Sequence, residues 1–320
     1  MTEKPPVPVD AGMLSFHEEL ARLTPPEAAT WPLARQRQAW EEVCLRFRAK
    51  RSPRLMVEDL DASGVHVRVF RPPGNAPKPG VLYLHGGGWI LGSCETHDDM
   101  AAEIAEIADV VVVLADYRLA PEHPHPAQLD DALAVLDWMR SSGRALGIDP
   151  THITAAGDSS GGRITATLAL AIRDRGLPAL RGQVLIYASL GNDLDTASYQ
   201  RHAEAPCLTR ADMIYYLEAF LGPRGSAGWV DATATPNLAS DLTGLPPTFI
   251  IVAEHDPTCD DGAIYADKLR AAGVPVQHRN EPALAHSFMR ARHVSAPAMA
   301  AFRAIAEAVR SLAHEGMLPG

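Results

Sequence analysis

The stretch THITAAGDSSGGRITATLALAIR, residues 151–173, decides the reading of this chain. Its opening, Thr151-His152-Ile153-Thr154-Ala155-Ala156, alternates and carries β-branched side chains, as a strand requires. Its end, Arg163 to Arg173, is rich in helix formers and has an apolar face. Between them stands Gly157-Asp158-Ser159-Ser160-Gly161. In a chain with 24 glycines, Gly-x-Ser-x-Gly alone is a weak signal, so the context carries the claim. A strand–turn–helix unit lifts the Ser159 Oγ above the sheet edge. Gly157 and Gly161 let strand and helix close around a strained turn where a Cβ would clash. The following helix points its N-terminal N–H groups at the same spot.

Far upstream, His85-Gly86-Gly87-Gly88-Trp89 follows the apolar run Val81–Leu84. Successive glycines bare their backbone N–H groups, which can face a developing oxyanion. The backbones of Gly87, Gly88 and Ser160 are the expected donors; losing one such donor typically costs ~3 kcal/mol. His85 and Gly86 support this loop, with His85 bracing it by hydrogen bonding. Trp89, next to the loop, is expected to narrow a substrate pocket.

A serine hydroxyl needs a base, and the base needs a carboxylate to hold its tautomer. On a sheet of this kind the chain order is Ser, then Asp or Glu, then His. His278 falls in a strand pattern, and His293 and His314 fall on or near the last helix. His286, between the last strand and the last helix, is the expected base. Among the acids after the strand Phe249–Val252, Asp256 suits the orienting role, with Glu254 and His255 as competitors. Asp260 and Asp261 read as first-turn acids that favour the next helix dipole.

The 320 residues allow one large α/β domain with an accessory piece. A net charge of −10 speaks against nucleic-acid or anionic-membrane partners. No secretory signal is visible at the start, and no apolar run reaches the ~18 residues that span a bilayer. Cys44, Cys94, Cys207 and Cys259 are scattered and read as reduced thiols of a cytoplasmic protein. His123-Pro124-His125-Pro126 is a solvated loop pattern, His17-Glu18-Glu19-Leu20 is not H-E-x-x-H, and no G-x-G-x-x-G opens a helix after the first strand. The expectation is therefore no metal and no cofactor.

Residues 1–12 are Pro-rich and expected to be loose, and 13–51 are helical with breaks at Pro25-Pro26 and Pro32. A hairpin is expected over 55–60 and 65–70, turning near Ala62-Ser63-Gly64. Further strands are expected at 81–84, 110–114, 153–156, 184–188, 248–253 and 274–279. Helices are expected at 98–108, 127–140, 163–173, 211–221, 262–272 and 297–313. This alternation implies an α/β fold with a mostly parallel sheet and helices on both faces. Such sheets carry their sites at the C-terminal strand ends, where His85, Ser159, Asp256 and His286 all fall.

These residues together resemble the hormone-sensitive-lipase-like, bacterial acetyl-esterase type branch of the α/β-hydrolases. The likeness is carried by His85–Trp89, Asp116-Tyr117-Arg118-Leu119-Ala120-Pro121-Glu122, Gly157–Gly162, Asp256-Pro257 and His286. It implies a core of about eight strands, a helical cap, no cofactor, and hydrolysis of short-acyl esters. It also implies that 116–122 braces the glycine loop. Domains are expected as an N-terminal cap segment at 1–51 and a catalytic domain at 52–320, with 190–225 adding to the cap. Three positions depart from the family pattern: Ser160 for alanine, His255 for tyrosine, and Ser287 for glycine after the histidine.

The expected function is a serine carboxylesterase working through an acyl-enzyme, with a small-molecule ester and water as its partners. Activity should rise with pH as the base loses its proton. An amidase or lactonase on the same site is the alternative reading. A non-catalytic receptor on the same scaffold is another, against which the retained His286 speaks. An edge strand at 274–279 offers a surface for pairing two copies as a homodimer.

Overall fold

In the computed structural model, which describes residues 8–320, the alternating pattern assembles into one eight-stranded sheet. The strands are β1 (Met56–Ala62), β2 (Val65–Arg71), β3 (Lys78–Leu84), β4 (Val111–Ala115), β5 (Ile148–Asp158), β6 (Gln183–Ile186), β7 (Thr248–His255) and β8 (Val276–Ala285). Their spatial order is β1-β2-β4-β3-β5-β6-β7-β8. The β1–β2 hairpin and the β2–β4 pair are antiparallel; every later pairing is parallel. β4 is buried at every position, the mark of a strand covered on both faces.

The helices are α1 (Ala11–Leu23), α2 (Leu33–Arg46), α3 (Cys94–Ala108), α4 (Ala127–Ser142), α5 (Ser160–Asp174), α6 (Ala197–Arg201), α7 (Arg210–Leu221), α8 (Cys259–Ala271) and α9 (Ala296–Glu315). Alternation along β3 sorts them into layers. Val81 and Tyr83 pack with Met100 of α3 and Phe302 of α9. Leu82 and Leu84 face the other way and pack with Leu136 of α4 and Leu168 of α5. Side chains of period two thus feed two cores, one on each face.

Within the segment expected to be loose, residues 10–12 are built into the fold. Residues 1–7 lie outside the described residues, but Asp10 caps α1 by accepting from Gly12 N and Met13 N. Asp10 N also donates to Ala283 O at 2.8 Å, which ties α1 to the chain just before His286. The break expected at the two prolines is a 3-10 turn, Pro26–Thr30, ahead of α2. β8 runs to Ala285, well past the expected 279, because continued pairing with β7 satisfies its backbone groups.

Candidate active site

Ser159 sits in the sharp bend between β5 and α5, with φ +53° and ψ −120°. This conformation is costly for a residue with a Cβ and persists because its neighbours enforce it. Ser159 N donates to Ile186 O at 2.9 Å, anchoring the bend to β6. A Cβ on Gly157 would strike the carbonyl of Gly161, and one on Gly161 would strike those of Leu84 and His85. The glycines are therefore required by close backbone approach, as the sequence implied.

The bend aims Ser159 Oγ at His286, whose Nε2 lies 2.9 Å away. His286 Nδ1 lies 2.6 Å from Asp256 Oδ2. The other carboxylate oxygen, Oδ1, accepts from Thr258 N at 2.8 Å and Thr258 Oγ1 at 2.9 Å. With Oδ1 occupied, Oδ2 is left for the imidazole, and a fully buried Asp256 has little freedom to turn. Tyr187 flanks the imidazole, ring centroids 4.9 Å apart. Of the residues that compete after β7, only Asp256 bonds His286; the His255 ring instead faces His202 at 5.7 Å.

The glycine loop runs beside this line. Gly87 and Gly88 have φ +134° and +59°, both left-handed. Among the described residues their N–H groups have no protein acceptor. Ser160 supplies the first N–H of α5, where the helix dipole favours negative charge. His85 Nδ1 lies 2.9 Å from Gly86 O and its ring stacks on Tyr117 at 4.3 Å. Burial, and then the neighbouring His97, push the His85 pKa down to about 4, so it is a neutral brace.

Trp89 packs against α7. It is 1% exposed, stacked on Phe220 of α7 at 4.5 Å, with the Arg163 guanidinium 5.1 Å from its ring centroid. With Phe220 stacked on it and the Arg163 guanidinium over its ring, Trp89 backs the loop from behind. The ring that reaches the loop is Tyr216, which a Cβ on Gly88 would strike.

The family model for the alpha/beta hydrolase fold matches residues 81–290. This chain belongs to the α/β-hydrolase family. It is 43% identical over 270 residues to the carboxylesterase NlhH of Mycobacterium tuberculosis, covering 81% of this chain and 84% of that one. It is 35% identical over 240 residues to an ethyl acetate hydrolase of Pseudomonas putida, covering 74% and 75%. Among solved structures, a thermostable esterase from Pseudomonas putida superposes with a TM-score of 0.89 at 27% identity, covering 98% of this chain and 99% of that one.

In this α/β-hydrolase the segment 116–122 braces the glycine loop in detail. Tyr117 OH donates to His85 O at 2.6 Å, and Ala120 N to Trp89 O at 2.9 Å. Arg37 of α2 joins them, donating to Ile90 O and to Glu122. Ser287 takes φ +62°, a left-handed conformation that glycine adopts at no steric cost. Asp260 and Asp261 stand in the first turn of α8, as expected; Asp261 is in addition buried, accepts from Gly191 N at 2.9 Å, and burial raises its pKa to about 7. It therefore also holds the loop after β6.

Two residues escaped the sequence reading. Arg163, fully buried in α5, donates to the carbonyls of Ser189 and Gly191 and to Thr235 Oγ1. Burial lowers its pKa to about 10, with Asp261 partly offsetting, so it stays charged. A cation two residues beyond the Gly157–Gly161 motif, on an otherwise apolar helix face, was the available signal. Asp158, inside the motif, has no such pattern around it. Among the described residues, His66, Cys94 and Asp116 form a cluster of metal-binding types. Its atoms already have protein partners: His66 Nδ1 bonds Asp116 Oδ2 at 2.7 Å, Cys94 N donates to Asp116 Oδ1, and Cys94 Sγ to Leu114 O. It reads as a brace at the start of α3. A cavity of about 390 Å³ between Leu129, Leu170 and Ala239 includes none of the candidate site residues.

Proposed function

We propose that this chain is a serine carboxylesterase that hydrolyses short-acyl esters through an acyl-enzyme. The observation that carries it is the hydrogen-bonded line Ser159–His286–Asp256 beside the Gly87 and Gly88 amides, which have no protein acceptor among the described residues. His286 Nε2 takes the Ser159 proton as Oγ adds to the ester carbonyl. The carbonyl oxygen becomes an oxyanion held by the N–H groups of Gly87, Gly88 and Ser160. Asp256 holds Nδ1–H and balances the imidazolium. His286 then returns the proton to the leaving alkoxide, and the alcohol departs. Water repeats the attack on the acyl-enzyme, freeing the acid and restoring Ser159. The activities named for the mycobacterial carboxylesterase and the ethyl acetate hydrolase support the ester reading.

Residues 1–51 and 190–225 serve as the cap over a catalytic domain at 52–320. The contact of Cys207 N with His17 Nδ1 at 3.2 Å and the seat of Tyr216 on the loop support this division. The Tyr216 ring set against Gly88 supports the short-acyl preference. Four free thiols support a cytoplasmic, reducing setting. Among the described residues no helix is long and apolar enough to cross a membrane. Two copies pair through the edge strand β8; sedimentation equilibrium giving a monomer mass at micromolar concentration would remove that part.

The main test is Ser159→Ala on a p-nitrophenyl ester series. Turnover, the acyl-enzyme burst and fluorophosphonate labelling should all vanish, and the wild type should favour the shorter acyl chains. Near-wild-type turnover by Ser159→Ala would end the proposal. Anilides and lactones assayed alongside separate esterase from amidase or lactonase.

A further inference from the structure

Asp158 ends β5 and immediately precedes Ser159. No step of ester hydrolysis uses its side chain, yet four parts of the site converge on it. Oδ1 accepts from Gly86 N and from Tyr83 OH, each at 3.0 Å. Tyr187 OH, beside His286, stands 3.4 Å from Oδ2. His97 Nε2 of α3 lies 3.3 Å from Oδ1 and 3.2 Å from Arg290 Nη2. Arg290 donates from Nη1 to Thr96 O at 2.8 Å and lies 5.0 Å over the Trp40 ring of α2.

A buried carboxylate is costly unless donors and charge answer it. Burial pushes the Asp158 pKa up, but His97, Arg290 and Tyr83 outweigh that and hold it at about 2. Burial also keeps His97 below the ordinary histidine value, so at neutral pH the positive charge of this network is that of Arg290. The carboxylate is thus ionised, fixed and matched.

Gly86 N is the partner with a consequence. β3 and β5 are neighbours, with Leu84 opposite Gly157, so the two chain ends leave the sheet side by side. A Cβ on Gly86 would run into the Asp158 carboxylate, so this clasp fits only glycine. Gly86 leads directly into Gly87 and Gly88, whose amides have no acceptor among the described residues. We propose that Asp158 is a positioning residue: its carboxylate pins Gly86 and so sets where the Gly87 and Gly88 N–H groups point relative to Ser159. This inference rests on the ester-hydrolysis reading above.

The test is Asp158→Ala, with Asp158→Asn as the conservative partner. Alanine should lower kcat on p-nitrophenyl acetate about 10- to 100-fold, short of the loss of a whole oxyanion donor. KM should stay within about threefold, because the loop acts in the transition state. The Ki of a trifluoromethyl ketone, whose hemiketal oxyanion occupies the same amides, should rise in step with the fall in kcat. Asparagine keeps an acceptor for Gly86 N and should recover part of both. The inference is overturned if kcat and Ki stay within about twofold, or if kcat falls while Ki is unchanged, since the residue then serves stability alone. If the alanine variant does not fold, Asp158→Asn decides: its weaker amide acceptor should move kcat and Ki together by about threefold or more, and no paired shift overturns it. Failure of the underlying reading looks different: the wild type itself would neither turn over esters nor react with a fluorophosphonate.

Discussion

At Gly87 and Gly88 a single methyl group separates two outcomes. A Cβ at Gly87 would meet the backbone carbonyl of Leu91 at φ +134°, where nothing flexible can yield. Gly87→Ala is expected to cut kcat/KM at least ~100-fold, the scale of a lost oxyanion donor. At Gly88 the obstacle is the Tyr216 ring, a side chain. Gly88→Ala should therefore be partly rescued by Tyr216→Ala, and strict additivity of the two in kcat/KM would contradict the contact. The acids divide as sharply. Asp256→Asn leaves His286 Nδ1 facing an amide and should lower kcat about 10³- to 10⁴-fold. Glu254→Ala, which removes no bond to His286, should stay within about threefold of wild type. Equal losses in the two would return the orienting role to the cluster as a whole. The order Ser, acid, His was legible because it follows chain connectivity, and Asp256 was favoured by its place after β7; setting Glu254 aside needed the contact of Asp256 Oδ2 with His286 Nδ1, which no local pattern carries.

The elements were legible to the extent that their signals are local. Apolar runs marked the parallel strands, and Gly157 and Gly161 marked the bend. Ends were less legible: β8 outruns its expected end because its backbone keeps finding partners on β7, a fact no local pattern carries. α1 shows the same limit. Its sequence gives an amphipathic helix but not its seat, which is the segment on either side of His286. Gly12 lies so close to Val294 that a Cβ would strike that residue's carbonyl. Gly12→Val should lift α1 from this seat without touching the sheet. Hydrogen exchange over 11–23 should quicken and KM for the ester should rise, while the main thermal transition changes little. Unchanged exchange over α1 would show that the helix is held elsewhere.

Across the whole molecule, burial of charge sets a pH dependence that composition alone hides. Asp261 has its folded pKa raised from 3.8 to about 7, mainly by burial. The folded state therefore binds this proton more tightly than the unfolded one. Its contribution to stability is full below about pH 4, declines as pH rises, and is gone above about pH 7. A shift of that size corresponds to about 4 kcal/mol at most. Asp261→Asn keeps an acceptor for Gly191 N and loses the charge. Its stability relative to wild type should rise between pH 5 and pH 8, read from urea midpoints; parallel curves would refute a buried, proton-holding Asp261. The sequence by itself determined the α/β alternation, the serine bend, the glycine loop, and the base that follows them, because each is written in neighbouring residues or in chain order. Only the tertiary structure decided that Asp256 meets His286, that Trp89 is backing and Tyr216 the facing ring, and that Asp158, Arg163 and Asp261 are buried. Those outcomes depend on residues distant in sequence sharing one desolvated volume, and burial is a property of the packed molecule rather than of any stretch of it.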